Sequence, residues 1–551
     1  MNLELYFCEE QFFMPTFSKK ALRFEEIRAY PRILLDYLSG QLSEKYYSYL
    51  FSEKGFSEAI DQRAKLPVDR ELLHKVISEQ YRQLKNKISP SLEVDKNISL
   101  LTASNTFTVS TGHQLTLFTG PVYFVYKIIT TINLAEKLSG LFPSRNIIPV
   151  FWLASEDHDL DEINHIRLFG KKIEWNPPYQ GAAGRITAIG LKLVIDELKT
   201  KFRNNEKAEK MIDLFSKAYQ DSHSLSEATR IIVHELFADK GLVVIDPDDE
   251  RLKRSFVKEM KEDIEHHSAH SIVNETIVEL EQNYKAQVHP REINLFYLDK
   301  HQRSRIIEKD DEYEVLERNL KFSKENLLKE IETHPGKFSP NVVLRPLYQE
   351  KILPNIGYIG GPAEIAYWLE FKKMFEHFGC RLPVLVMRNS LTIIDAPAQD
   401  KLKKLGLVPE DLFLVEEELI KKYIKTQPSG EFSIDRFMKQ TESIFDEAIS
   451  QVSNIDSTLK PSAEAEKQKI QNSLRLLEEK IRRAEKKKYE TAIHQLVKLK
   501  EKFFPSNALQ ERHENVLAFY SMYGEDFFNQ LYQHLDPFEK KFILLLEDKP
   551  V

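Results

Sequence analysis

At 551 residues the chain exceeds what one compact core supports, so two to four units are expected, one of them large. Hydrophobic residues at 42% and charged residues at 30%, with 34 Phe and 22 Tyr, exclude wholesale disorder. A formal charge of −7 gives no overall basic bias toward nucleic acid or an anionic membrane, so neither is an expected partner.

The N-terminus, MNLELYFCEEQFFMP, carries early acids and no basic region ahead of an unbroken apolar stretch, and it does not read as a signal peptide. No apolar run approaches the ~20 residues that span a bilayer. A cytoplasmic protein is expected. The two cysteines, Cys8 and Cys380, form no CxxC and no Cys/His zinc spacing, and both read as small buried apolar side chains in a reducing compartment.

Residues 1 to about 100 read mostly as helices, with apolar positions every three or four residues through YPRILLDYLSGQL and RELLHKVISEQYRQL. From about 104, short apolar or β-branched runs alternate with helical stretches: TFTVST, PVYFVYKIITTINLAEKL, NIIPVFWLA, GLVVIDP, NLFYLD and LPVLVMR. The unbroken apolar run from Ile147 to Ala154 suits a strand buried on both faces, and the alternation predicts an α/β fold with a parallel sheet. Stretches near 170–240 and 300–345 interrupt it as insertions. One domain is thus expected over 1–395 and a helical domain over 396–551.

Within the second, Ser462 to Phe503 holds no Gly or Pro, and Ile470, Leu474, Leu477, Ile481 and Ala484 recur in steps of four and three. That spacing is a coiled-coil seam, ~60 Å long at 1.5 Å per residue. The next step lands on Lys488, which leaves an intramolecular hairpin and a dimeric rod both open; a homodimer is the expectation. The basic cluster from Lys480 to Lys488 reads as a solvated face.

Three segments concentrate chemistry. In VSTGHQLTLFTGP, Thr111, Gly112, His113, Gln114, Thr119 and Gly120 lie between a strand and a helix, where open α/β sheets bind phosphate. The segment is neither a Walker A loop nor GxGxxG, and an ordinary strand-to-helix turn is the structural alternative. In PVFWLASEDHDLDEINHIRLF, six ionisable side chains fall within the seven positions Glu156 to Glu162. They suit acid/base work and an amine grip through Asp157, His158 and Asp159, or else an exposed acidic loop. No HExxH or Cys/His set accompanies them, and no metal is expected. In NIGYIGGPAEIAYWLEF, Gly360 and Gly361 precede Pro362 and Glu364 at a helix start, with Tyr358 and Tyr367 as candidate pocket lining. Arg345 and Arg388 are candidates for anion binding or for structural ion pairs.

Taken together, TGHQLTLFTGPVYFVYKI, PVFWLASEDHDLDEINHI, RPLYQEKILPNIGYIGGPAEIAYW and LQERHENVLAFYSMYG stand in the order found in the BshC family, the cysteine-adding enzymes of bacillithiol biosynthesis, which the chain resembles over essentially its full length. It departs from that family's common TGQQ at His113. The resemblance implies a Rossmann-like core of nucleotidyltransferase type, related to class I aminoacyl-tRNA synthetases, with inserted connecting segments and a C-terminal α-helical coiled coil. It implies joining the carboxyl group of L-cysteine to the amine of glucosaminyl malate. A free carboxylate needs activation before amide formation, so ATP is the expected co-substrate, although no KMSKS-type loop is evident.

The resulting working assignment has Thr111, Gly112, His113, Gln114, Thr119 and Gly120 at the phosphates or a developing oxyanion. Asp157 and Asp159 anchor an amine, His158 assists its deprotonation, and Gly360, Gly361, Glu364, Tyr367 and Arg388 contact substrate. The alternatives are a non-catalytic coiled-coil interaction protein with a degenerate nucleotide-binding domain and an aminoacyl-adenylate-forming enzyme acting on another acceptor.

Overall fold

The computed structural model describes residues 16–177, 181–299, 302–427 and 434–549. Cys8 and the N-terminal segment considered as a signal lie outside the described residues. The β-branched run Thr106–His113 (β1) forms a strand buried along all eight positions, as a central parallel strand must be when helices cover both of its faces. With Asn146–Leu153 (β2), Val243–Ile245 (β3), Asn355–Gly360 (β4) and Val384–Met387 (β5) it builds one sheet in the order β5-β4-β1-β2-β3, every pairing parallel. This is the doubly wound order, in which the winding reverses between β1 and β4. Thr111 pairs with Phe151 on one side and Ile359 on the other, so the carboxyl ends of the two strands flanking the reversal lie level.

The helix Tyr123–Leu141 (α1) follows β1, with Phe124, Val125, Ile128, Ile129 and Ile132 among its buried residues; the Phe124 ring meets Phe151 of β2 at 5.3 Å. Leu344–Ile352 (α2) precedes β4, and Pro362–Trp368 (α3) follows it. The insertion expected near 170–240 contains the helices Leu191–Lys201, Glu206–Asp221 and Leu225–Phe237. NLFYLD, read from sequence as one more strand of the alternating layer, instead joins a separate sheet. There Leu295–Leu298 pairs antiparallel with Arg303–Lys309 and Phe338–Pro340. A short apolar run carries no information about which sheet will pair with it.

Two compact units result: one holds the described residues up to Thr392 and from Leu509 onward, the other Ile393–Ala508. The division differs from a boundary at 395 because the stretch beginning at Leu509 rejoins the first unit. The cause is pairing: Phe542–Glu547 runs antiparallel to Phe17–Leu22 over six residues and buries Phe542 to Leu545. In the second unit, Lys460–Lys488 packs on Asp435–Ile455 of the same chain through a short turn, so the expected seam lies in a helical hairpin; Lys467 pairs with Asp446 across it at 2.6 Å. The helix breaks at Tyr489 before Glu490–Phe503. Among the described residues no helix is long and apolar enough to cross a membrane.

Leu544 is fully buried in the returning strand. Leu544→Ala is expected to lower stability by about 2–5 kcal/mol, read as an earlier denaturant midpoint for the first unit; an unchanged midpoint would show that the returning strand adds nothing.

Candidate functional site

A cavity of about 780 Å³ opens where β1 and β4 end. Its position is the topological switch point of the sheet, where such folds bind ligands. His113, the last residue of β1, is nearly buried. Its Nδ1 stands 2.9 Å from the Gln114 carbonyl, which only accepts, so Nδ1 carries the proton and Nε2 accepts from the Tyr123 hydroxyl at 3.1 Å. Burial, reinforced by the Lys127 charge, brings the imidazole down to about 4, and the ring is neutral at pH 7.

Gln114 donates its amide Nε2 to two carboxylates, Asp157 Oδ2 at 2.7 Å and Glu162 Oε2 at 2.6 Å. Burial alone would raise the Asp157 carboxyl, but hydrogen bonds from His158 and Gln114 and the Arg303 charge hold it well below the usual range. Arg303 itself stacks 4.1 Å from the Phe296 ring centroid and donates to the Pro340 carbonyl at 2.9 Å. Asp157 and Glu162 make an acidic wall.

Across the cavity, Lys127 of α1 is 1% exposed. Its ammonium donates to the Gly112 carbonyl at 2.5 Å and to Glu364 Oε2 at 2.7 Å. Glu364 also accepts from the Tyr358 hydroxyl at 3.0 Å and from the Gly361 N–H at 2.7 Å, which satisfies the N-cap N–H at the start of α3. Burial would raise this carboxyl too; the Lys127 charge and hydrogen bond and the Gly361 N–H outweigh it and set it at about 2. Arg388, which leaves β5 with its N–H on the Gly360 carbonyl, is buried and paired to Glu511 at 2.7 Å. Its guanidinium lies 4.9 Å from the Tyr123 ring centroid, and that of the exposed Arg512 lies 5.9 Å from the same ring. Arg345 of α2, bonded to neutral Gln349, completes the basic wall.

The description "Bacillithiol biosynthesis BshC, N-terminal Rossmann-like domain" matches residues 19–389, and "Bacillithiol biosynthesis BshC, C-terminal coiled-coil domain" matches 391–547. The chain belongs to the BshC family. Similar proteins named "Putative cysteine ligase BshC" come from Christiangramia forsetii, 38% identical with 97% of this chain and 99% of the relative covered, and Flavobacterium johnsoniae, 38% identical with 94% and 97% covered. A third, from Cytophaga hutchinsonii, is 37% identical with 95% and 98% covered.

On this BshC fold, eight residues of the working assignment line the cavity, Gly112, His113, Gln114, Asp157, Gly361, Glu364, Tyr367 and Arg388, as do Arg345, Tyr358, Glu156 and Glu162, which the sequence singled out without a final role. The others serve structure. The Thr111 hydroxyl is committed to the Ile359 carbonyl at 2.8 Å between β1 and β4. Thr119 and Gly120 sit in a turn with positive φ, where Asn515 donates to the Phe118 carbonyl at 2.8 Å and the Gly120 carbonyl at 2.6 Å. Next to them the Val122 N–H is taken by the Glu514 carbonyl at 2.7 Å, so the start of α1 offers no open cradle for phosphate. His158 is exposed and accepts from Arg303 at 3.2 Å, outside the lining; Asp159 is exposed at the start of Leu160–Ile163 and makes no side-chain cap. Gly360 lies within β4, close under Ile365 and Glu364, and the N–H of Gly361 is spent on Glu364.

Glu156, from the same acidic run, turns inward to a fully buried Lys253 at 2.6 Å. Among the described residues no group of three or more His, Cys, Asp or Glu side chains could hold a metal ion. Sequence reasoning missed Lys127, Tyr123, Arg303 and Arg512, and gave Glu162 no role of its own within the acidic run. Only Lys127 left a trace, as a single cation inside the apolar run VYFVYKII.

Because the folded Glu364 carboxyl lies below the 4.5 of an unfolded one, its stabilising contribution is full above about 4.5 and is lost as pH falls toward 2. The stability advantage of wild type over Glu364→Gln is therefore expected to be largest above that value and to shrink on acidification, measured as denaturant midpoints across pH; an advantage that does not vary with pH would remove the ion pair from this account.

Proposed function

We propose that this chain is a cytoplasmic cysteine ligase that joins L-cysteine to the amine of glucosaminyl malate, with ATP activating the cysteine carboxyl group. The observation that supports it is one cavity with two opposed walls at the sheet reversal: the carboxyl groups of Asp157 and Glu162 on one side, Lys127, Arg345 and Arg388 on the other. An ammonium group suits the first and carboxylate and phosphate oxygens suit the second. The volume of about 780 Å³ falls in the range of sites for small molecules. With the backbone of the β1-to-α1 turn engaged by Glu514 and Asn515, nucleotide phosphates meet side-chain cations instead of a glycine loop.

In this reading the cysteine carboxylate oxygen attacks a phosphorus of ATP, with loss of pyrophosphate or ADP. The acceptor ammonium gives its proton to solvent, the free amine attacks the activated carbonyl carbon, and the phosphate-bearing group leaves. Asp157 is too weak a base to deprotonate an amine near neutrality; its task is to hold the ammonium form in place. Incubating the chain with L-cysteine, glucosaminyl malate and ATP is expected to give bacillithiol by mass spectrometry, and Asp157→Asn is expected to cut kcat/KM by about 10²-fold, the size of loss seen when one preorganised electrostatic contact is removed. No amide product with any nucleoside triphosphate would overturn the ligase reading.

We further propose that the protein acts as a homodimer through its helical hairpin. Asp435–Ile455 buries no residue in one chain, while Ile444 and Ile455 on it and Leu476 and Leu477 on Lys460–Lys488 remain exposed. Light scattering is expected to give twice the chain mass, and Ile444→Lys with Leu477→Lys to halve it; a wild-type monomer at micromolar concentration would remove the proposal.

A further inference from the structure

Arg388 is 1% exposed, yet one of its donors has no partner. Nη1 donates to the Asn389 carbonyl at 3.0 Å and to Ser390 Oγ at 2.9 Å, and Nη2 donates to Glu511 Oε1 at 2.7 Å. Glu511 in turn accepts from Ser390 Oγ at 3.1 Å and from the Leu391 N–H at 3.0 Å, so the guanidinium cannot swing to find another acceptor. Its Nε–H therefore stays fixed without one among the described residues. Buried Arg63 and Arg230 also have an Nε without a partner, but of the three only Arg388 lines this cavity, and that placement points to something that binds there.

Gly361 shows where the missing acceptor would sit. Its φ of −75° is open to any residue, so backbone freedom does not explain the glycine. A Cβ on it would lie 3.9 Å from Arg388 Nε and 3.3 Å from Glu364 Oε2, inside the cavity lining. The bare α-carbon thus leaves open a volume within van der Waals reach of Nε. Charge points the same way. Lys127 is balanced by Glu364 and Arg388 by Glu511, whereas Arg345 and Arg512 face the same cavity with no ion pair among the described residues. The local surplus is positive.

We propose that Arg388 Nε–H, the open face of Gly361 and the Arg512 guanidinium form an oxyanion subsite. Its ligand is a carboxylate or phosphate oxygen; that this oxygen belongs to a ligase substrate rests on the function proposed above, whereas the subsite itself does not. Glu511 is its positioning residue, acting through Arg388.

The test is calorimetric titration of the full chain with pyrophosphate, L-cysteine and succinate, comparing wild type with Gly361→Ala and Arg512→Ala. Gly361→Ala sets a methyl group within van der Waals reach of Nε without changing any charge. At least one probe is expected to bind wild type, and both variants to weaken that probe at least tenfold, with melting curves showing that the variants stay folded. Weakening of pyrophosphate alone assigns the subsite to the nucleotide, of L-cysteine alone to the amino-acid carboxylate, and of succinate to a carboxylate without an amine. Wild-type affinity in Gly361→Ala, or no binding of any probe to wild type at millimolar concentration, overturns the proposal. Should Gly361→Ala melt early, the exposed Arg512 decides alone, and unchanged affinity in Arg512→Ala is the refuting result. No amide need form in this assay, so a chain that binds a probe in this pattern but makes no product keeps the subsite and loses only the ligase reading.

Discussion

A single buried ammonium ties the architecture of this protein to its site. Lys127 has no water to solvate it, and a charge so placed is tolerated only when paired and hydrogen-bonded. Its two acceptors belong to different elements: the carbonyl of Gly112 at the end of β1 and the carboxylate of Glu364 in α3. Glu364 spends its remaining capacity on Tyr358 of β4 and on the Gly361 N–H. One cation therefore fixes the spacing of β1, β4, α1 and α3 at the point where the sheet reverses. A site assembled on such a rigid frame needs little rearrangement to hold its charges in place.

The segment around residues 511 to 515 does the corresponding work from outside the sheet. Glu511 locks Arg388, Arg512 stands beside Tyr123, and Asn515 holds the turn containing Phe118, Thr119 and Gly120. Phe118 and Thr119 have φ of 49° and 69°, a conformation that costs non-glycine residues free energy and persists where surroundings enforce it. Asn515 is that enforcement. Glycine at 120 has the same positive φ and would bring a Cβ within 2.5 Å of the Thr116 hydroxyl, so its presence is steric and owes nothing to phosphate.

Much of this was legible in the sequence, for reasons that can be named. Strands buried on both faces show as unbroken apolar runs, and TFTVST, NIIPVFWLA and LPVLVMR all became members of the parallel sheet. The crowding of charge after Leu153 and the polar residues after Ser110 marked the right strand ends, and His113, Gln114 and Asp157 did converge. What failed was reading local pattern as local function. Thr119 and Gly120 resemble a phosphate loop until Asn515 is placed, and nothing in a short window announces a partner 395 residues away. Asp159 and His158 shared the composition of Asp157 but not its direction, since alternate positions of a turn point to different sides. The arginines of the basic wall were the hardest to foresee, because an isolated Arg looks the same in sequence whether it pairs, stacks or waits for an anion.

The return of the C-terminal segment also bears on how the molecule is made. Synthesis runs from the N-terminus, and the parallel sheet is complete in sequence by Met387, well before Glu511, Arg512 and Asn515 leave the ribosome. Until they do, Arg388 lacks the carboxylate it pairs with in the finished fold and the turn at Phe118 lacks Asn515. The nascent chain thus carries a sheet without a finished binding cavity, and a late step of maturation is the arrival of a stretch of only a few residues. Premature termination anywhere in the hairpin would leave a chain that encodes every strand of the sheet but lacks the carboxylate that holds Arg388, the Arg512 guanidinium and the amide that holds the turn at Phe118.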